Sequence, residues 1–458
     1  MTASRARVPD SSPTAPRALG LWSATALVVG HTIGVGIFLT PAQLVGALAS
    51  PALTLGLWIG CAALVLAGAL TFGELASRDP RGGGLYVYLR RGSGERAAFL
   101  YGWLSLLVMD PGVLAALVLG VAPYVSAMWP PAAGHERAVA LGILWALALA
   151  NLAGLRPSSR ILNGLTAFKV LLLAAFVAGA FAVGAGTWSH FSPFFARRAG
   201  APPLSEALGL GVIGAFYSFG GFWEASRVAG EVRDPERVLP RALALGVCAV
   251  TAVYLLTTVS FLYLVAPGQA ATASEFAQRA GEALLGPGGP PALGAVVVLS
   301  VVASAMALLL MAPRLYLAMS RDGLFPSWLA RPTRRTGAPA RATVLLAAIA
   351  SIDVLSGSFS QVVALFLCPT LLFVALAAAA LFVVRRRDSA VPAFRVPGFP
   401  ATPALFIVFL LAVVVLAAVA RPIPALAGFG LVLLGLPAHE LLARKRDRRA
   451  ASAEGDPQ

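Results

Sequence analysis

Charge is scarce in this chain: 12% of its 458 residues are Asp, Glu, Lys or Arg, against 58% hydrophobic and a mean hydropathy of +0.82. A water-soluble domain cannot hide so much apolar surface, and that class is excluded. Cysteine is scarcer still. The only three, Cys61, Cys248 and Cys368, lie inside apolar stretches, so no disulfide framework, metal site or cofactor is expected. Lysine is almost absent, with Lys169 and Lys445 the only two. The formal charge of +15 therefore comes from arginine, and the arginines sit in short loops between apolar runs. They form no continuous basic face for nucleic acid.

What the chain does have is apolar runs of about 18 residues or more, long enough to cross a bilayer, and about twelve of them recur. In the first half they cover about 21–46, 52–76, 97–127, 137–154 and 161–186, and in the second about 207–228, 240–265, 292–319, 341–356 and 360–384. Two more follow, over about 400–420 and 423–443. These predict an all-α integral membrane protein, with a 5+5 core (21–186 and 207–384) plus two added helices inside a transmembrane unit over 19–443. Residues 1–18 carry no cleavable signal-peptide pattern and read as a disordered lead, and 444–458 as a basic tail. Five spans per half is an odd number, so the second half is inverted in the membrane relative to the first. Arginine gathers in every second loop, within 78–96, 156–160, 227–241, 314–341, 385–395 and 444–449. The positive-inside rule makes these loops and both termini cytoplasmic, in a bacterial inner or plasma membrane. Arg197 and Arg198 fall on the opposite side.

Two of the runs are broken at their centres by glycine, at matching places in the two halves: Gly30-His31-Thr32-Ile33-Gly34-Val35-Gly36-Ile37-Phe38 and Phe216-Tyr217-Ser218-Phe219-Gly220-Gly221-Phe222-Trp223. Within hydrocarbon an unwound backbone survives only where it lines a cavity, since each unpaired N–H or C=O costs several kcal/mol. Paired breaks therefore predict a transporter with its site between two repeats. A helix that stops at Gly34 and resumes beyond Gly36 presents N–H groups that welcome a carboxylate. Carbonyls near Thr32 and Ile33, with others near Tyr217, Ser218 and Phe219, suit an ammonium group. The other reading is that these glycines only allow close helix packing.

Four spaced motifs carry a family resemblance. They are Ile33-Gly34-Val35-Gly36-Ile37-Phe38; Phe72-Gly73-Glu74-Leu75-Ala76 followed by Pro80-Arg81-Gly82-Gly83-Gly84-Leu85-Tyr86-Val87-Tyr88; Gly230-Glu231-Val232-Arg233-Asp234-Pro235-Glu236-Arg237; and Arg321-Asp322-Gly323-Leu324-Phe325-Pro326. In that order the chain, from about Leu21 to Arg387, resembles the amino acid–polyamine–organocation superfamily. The resemblance implies alternating-access transport of an α-amino acid, with the substrate carboxylate on the backbone of Val35, Gly36 and Ile37 and its amine on the carbonyls named above. Side-chain selection would fall to Tyr217, Phe219, Phe222 and neighbours from the third, eighth and tenth spans, Gly220 and Gly221 marking the second break. The aromatic lining without an obvious anion on the sixth span points to neutral substrates. Members with a lysine at the position of Lys169 are thought to place its ammonium where sodium-coupled relatives bind sodium, so transport is expected to be proton-coupled and sodium-independent. An exchanger of amino acids or polyamines is the alternative.

Four embedded polar residues remain. Lys169 lies about two turns into the fifth span, where a desolvated lysine can gain and lose a proton near neutrality and an arginine cannot; otherwise it snorkels to the cytoplasmic interface. Asp110, in Met109-Asp110-Pro111-Gly112, either pairs with a cation or accepts a proton, or else caps a helix restarting at Pro111. His31 either lines the pocket and senses pH or is a hydrogen-bonded structural histidine. Glu224 belongs to an outer gate or to the proton route, whereas Glu74 and Glu231 are expected in ion pairs with cytoplasmic arginines. No nucleophile–base constellation or facing aspartate pair suggests an enzyme, and the polar residues gather at the breaks rather than along a channel-like pore. The expected partners are an amino acid, protons and membrane lipids.

Overall fold

The structure, a computed structural model, describes residues 19–454 apart from 35, 81–82, 153–154, 267–272, 330–338 and 389. Among the described residues every regular element is helical, and a lone bridge joins Leu19 to Val232. The first expected span is a bent pair, α1 (Leu21–Thr32) and α2 (Gly36–Leu48), whose axes turn by 53° across the break. Next come α3 (Pro51–Arg78), the short α4 (Leu85–Gly92), and α5 (Glu95–Leu104), which runs through a π-helical turn at Ser105–Met109 into α6 (Asp110–Met128). α7 (Glu136–Leu152) and α8 (Leu155–Ala182) close the first half.

The second half opens on α9 (Leu204–Phe219), broken at Gly220 and Gly221 and continued by a 3-10 segment, Phe222–Glu231. Then follow α10 (Pro235–Leu264), α11 (Ala273–Leu285), α12 (Gly289–Arg321), α13 (Ala340–Ser356) and α14 (Phe359–Arg387). The chain ends in α15 (Ala401–Ala420), α16 (Pro422–Leu433) and α17 (Gly435–Glu454). Among the described residues eight helical stretches are long and apolar enough to cross a membrane, nine with the bent pair as one span. α7 and α13, 17 residues each, and α9, with 16, fall short of that length, so not all of the twelve expected crossings meet it.

Two helices were not expected. α4 follows Gly83 and Gly84, both in the left-handed region at φ 127° and 59°, and its two arginines break the apolar periodicity. α11 is amphipathic, burying Phe276 and Ala280 while Glu275 stays exposed, so no long apolar run announces it. α17 carries helix past 443, beyond the expected start of the tail. Arg197 and Arg198 find their reason at the end of α2: Arg197 Nε donates to Leu48 O at 3.1 Å and Arg198 Nη2 to Val45 O at 3.0 Å. They cap a helix C-terminus, where cations are favoured by the macrodipole.

The arginine-rich face is tied by ion pairs. Glu74, fully buried, receives Arg385 at 2.5 Å, Arg78 at 2.9 Å and the Val396 amide at 2.8 Å. Glu231 meets Arg314 at 3.2 Å, so both glutamates pair as expected. Arg90 reaches Asp322 at 2.6 Å, and Arg91 reaches Asp388 at 2.7 Å. A hydrogen bond from the Ala390 amide, with Arg91 and Arg78 nearby, holds the Asp388 carboxyl below the usual carboxylate range. The segment before α1 joins this face, with Leu19 N donating to Glu231 O at 3.0 Å and Arg233 N to Leu19 O at 2.9 Å.

Candidate functional site

The two breaks are folded onto each other. At Gly36 a Cβ would fall 2.9 Å from Ser218 Cα, a backbone atom, so the start of α2 sits directly on the end of α9. Ser218 Oγ and Thr40 Oγ1 share a hydrogen bond at 2.7 Å. Gly221 is left-handed at φ 93°, and a Cβ there would lie 2.7 Å from His31 Cδ2; backbone and space both require glycine. Tyr254 of α10 clasps the two ends, its hydroxyl 2.6 Å from Ser218 O and 3.1 Å from Thr32 O. No sequence signal marked this tyrosine, because its role depends on two segments far from it along the chain.

Between the breaks lies a cavity of about 90 Å³. His31, Thr32, Gly34, Gly36, Tyr217, Ser218, Gly220 and Gly221 line it, as do Asp110 and Glu224. Ile33, Ile37, Phe219 and Phe222 are buried but absent from its wall. Phe219 packs against Trp58 and Tyr254, and Phe222 against Phe72, Trp223 and Phe406. The rest of the wall includes Phe216 and Trp223 beside the second break and, from the third, eighth and tenth spans that were expected to contribute, Met109, Val113, Leu117, Leu308 and Phe366. Val35 lies outside the described residues. A second cavity, of about 430 Å³, shares Tyr217 and Leu367 with the first. It extends along α2 and α9 away from the arginine-rich face, past Gln43 to Arg421.

Of the carbonyls expected to await an ammonium, those of Thr32, Ile33, Tyr217 and Ser218 are already engaged. Lys169, 1% exposed, donates from Nζ to Ile33 O at 2.5 Å and to Gly30 O at 2.8 Å, with Ser304 Oγ of α12 at 3.3 Å. Ser304 Oγ itself reaches Ile33 O at 3.0 Å. Thr32 O accepts from the Gly34 amide at 2.9 Å, and Tyr217 O from the Gly220 amide at 3.0 Å. α8 starts at Leu155, so Lys169 stands about four turns in rather than two. It does not snorkel: its ammonium points to the break.

Asp110 does not cap a restarting helix. Pro111 has no N–H to give the preceding turn and its ring crowds the carbonyl four residues back, so the backbone widens into the π-turn and stays helical through Met109, at φ −75° and ψ −61°. The Asp110 carboxylate accepts instead from Tyr316 Oη at 2.6 Å and Ser105 Oγ at 2.7 Å, both on Oδ2. Arg227 Nη1 stands 3.4 Å from the same oxygen, and Arg227 Nε pairs with Glu224. Arg227 was counted with the cytoplasmic arginines; it is buried, its side chain 2% exposed, because two acids hold it inside. Glu224 lies past the break toward Glu231 and Leu19, on the arginine-rich side, which does not suit an outer gate. Nδ1 of His31 is buried with no hydrogen-bond partner among the described residues, and His31 stands on the cavity wall.

A multi-pass helical bundle with two opposed helix breaks around a partly polar cavity is the architecture of a membrane carrier. The Amino acid permease family model matches residues 19–432, and the chain belongs to that family. It is similar to mouse b(0,+)-type amino acid transporter 1, 28% identical over 83% of this chain and 79% of the relative. An uncharacterized transporter of Mycobacterium tuberculosis is 33% identical over 73% of this chain and 72% of its own length. The human cystine/glutamate transporter is 28% identical over 93% and 85% respectively. It is a transporter and not an enzyme.

Proposed function

We propose that this protein is a proton-coupled, sodium-independent symporter of small neutral α-amino acids that works by alternating access in the plasma membrane of a bacterial cell. On this reading it has twelve crossings in an inverted 5+5 core plus two helices, with both termini cytoplasmic. The observation that carries the reading is the Lys169 ammonium on Gly30 O and Ile33 O, a built-in cation where the first broken helix ends. A second cation there would meet it at close range without water to screen the repulsion. The substrate carboxylate takes the backbone amides at the start of α2, with Gly36 on the cavity wall and Ile37 behind it, and its amine the second lone pairs of the carbonyls that end α1 and α9. Asp110, Glu224 and His31 lie on the cavity wall and bear on proton movement only through it.

Reconstituted vesicles test this. Replacing sodium by choline at constant pH leaves uptake unchanged, while an inward gradient of one pH unit raises accumulation about tenfold for one proton per substrate. Uptake that stops in choline removes the model. Exchange is the second reading, favoured by the human relative whose name carries two amino acids. Uptake that needs internal amino acid and ignores the pH gradient would establish exchange instead.

A further inference from the structure

Two acids, Asp110 and Glu224, line the central cavity, although the sixth span was expected to offer no anion there. Neither is left without a counter-charge. One guanidinium stands behind both: Arg227 Nη1 is 3.4 Å from Asp110 Oδ2, Nη2 is 3.5 Å from Asp110 Oδ1, and Nε pairs with Glu224 Oε2. Nη2 also donates to Ser105 Oγ at 3.2 Å and Tyr101 Oη at 3.3 Å. The Asp110 contacts are longer than the usual 2.7–2.9 Å or so of a charge-assisted bond, so this is a shared cation rather than a saturated pair.

Replacing buried ion clusters by apolar packing is often neutral or stabilising, so stability alone does not account for charges set into a cavity wall. Counting them does. With His31 neutral and the other four groups ionised, the charges at or behind the wall are the Lys169 ammonium and the Arg227 guanidinium against the carboxylates of Asp110 and Glu224, and in that state they cancel. A zwitterionic substrate keeps that balance. A substrate with a cationic side chain adds an uncompensated charge to a site between buried helices, and the acids that would receive it are already engaged.

We infer that Arg227 is a tethered cation occupying the receiving site for a cationic side chain, so that Arg227, Asp110 and Glu224 together set selectivity for neutral substrates. The inference rests on the amino-acid reading above. It differs from a purely structural tie in what it predicts: selectivity is a difference between affinities, and removing one sign of charge should shift the preference rather than weaken all ligands alike.

The test is binding to the purified full-length carrier by thermal shift and calorimetry, with alanine, leucine, lysine, arginine and glutamate as probes. Wild-type protein is expected to bind alanine or leucine at least about tenfold more tightly than lysine or arginine. Arg227→Met should bring the cationic amino acids up at least about tenfold relative to the neutral ones. The reciprocal Asp110→Asn/Glu224→Gln double variant leaves Arg227 unbalanced and should gain glutamate binding by a similar factor. The isosteric Glu224→Gln change should move part of the way. A variant that binds neutral ligand with the wild-type order of preference overturns the inference. So does failure of all three to fold where the wild type is stable, since that makes the cluster a structural tie. Wild-type protein that responds to no amino acid defeats the amino-acid reading itself, and this inference with it.

Discussion

Vesicles carrying Lys169→Ala are expected to bind substrate with affinity reduced severalfold at most, yet to lose the roughly tenfold accumulation that an inward gradient of one pH unit drives. The two effects separate because the ammonium touches the back of the break, at Gly30 O and Ile33 O, and is not itself on the cavity wall. Truncation leaves Gly30 O poorly served, at a cost of about 1–3 kcal/mol, while Ser304 Oγ still covers Ile33 O at 3.0 Å. The fold therefore persists and the proton carrier is gone. Lys169→Arg should fail in the same assay for the opposite reason, since a guanidinium holds its proton at any physiological pH. Uptake over a pH series, measured beside binding to the same variants, checks both. An arginine variant that accumulates substrate with normal pH dependence would leave Lys169 as a structural cation only.

Gly36→Val is expected to reduce binding by about 100-fold or more while the protein still inserts as a multi-pass helical bundle. A Cβ at Gly36 would meet Ser218 Oγ at 2.6 Å and Ser218 Cα at 2.9 Å, so α2 must lift from α9. Overpacking of this kind costs about 3 kcal/mol, which is two decades of affinity if the binding geometry bears it. Loss at Gly36 alone does not distinguish a substrate site from tight packing. Gly34→Ala does. There a Cβ would find Leu117 Cδ2 at 3.4 Å and Ser304 Oγ at 3.7 Å, ordinary contact, yet Gly34 is on the cavity wall. If the ligand approaches that backbone, calorimetry on Gly34→Ala will show about tenfold weaker binding with unchanged melting temperature. Full affinity in that variant would reduce both glycines to packing.

The positions of these residues were legible to different depths. Gly34, Gly36, Gly220 and Gly221 stood out because a helix cannot be broken in hydrocarbon without leaving a mark in the sequence, and Lys169 because lysine is otherwise confined to the tail. Asp110 and Glu224 were visible as costly charges, but their shared partner was not. Arg227 sits three residues past Glu224 in a stretch that leads to an arginine-rich loop, and position along the chain gives the same signal for an arginine in solvent and one turned inward. Tyr254, Ser304 and Tyr316 carry no local signature, since a hydroxyl on an apolar helix is read as polar or apolar only by what faces it. The helices α4 and α11 escaped because they are amphipathic and do not span.

The sequence by itself determined that the chain is a helical membrane protein, where its backbone breaks, and which ionisable groups lie in apolar surroundings. Those properties follow from local composition: hydrocarbon demands apolar runs and internally satisfied backbone, so exceptions are expensive and conspicuous. Tertiary structure alone decided how the exceptions are paired. It set Gly36 onto Ser218, turned Phe219 and Phe222 away from the cavity, engaged the carbonyls of the first break with Lys169, and placed Arg227 behind two acids from different helices. Such pairings depend on which helix faces are brought together across more than a hundred residues of chain, as between Asp110 and Arg227. A close-packed interior is specific about partners, and no local pattern encodes that choice.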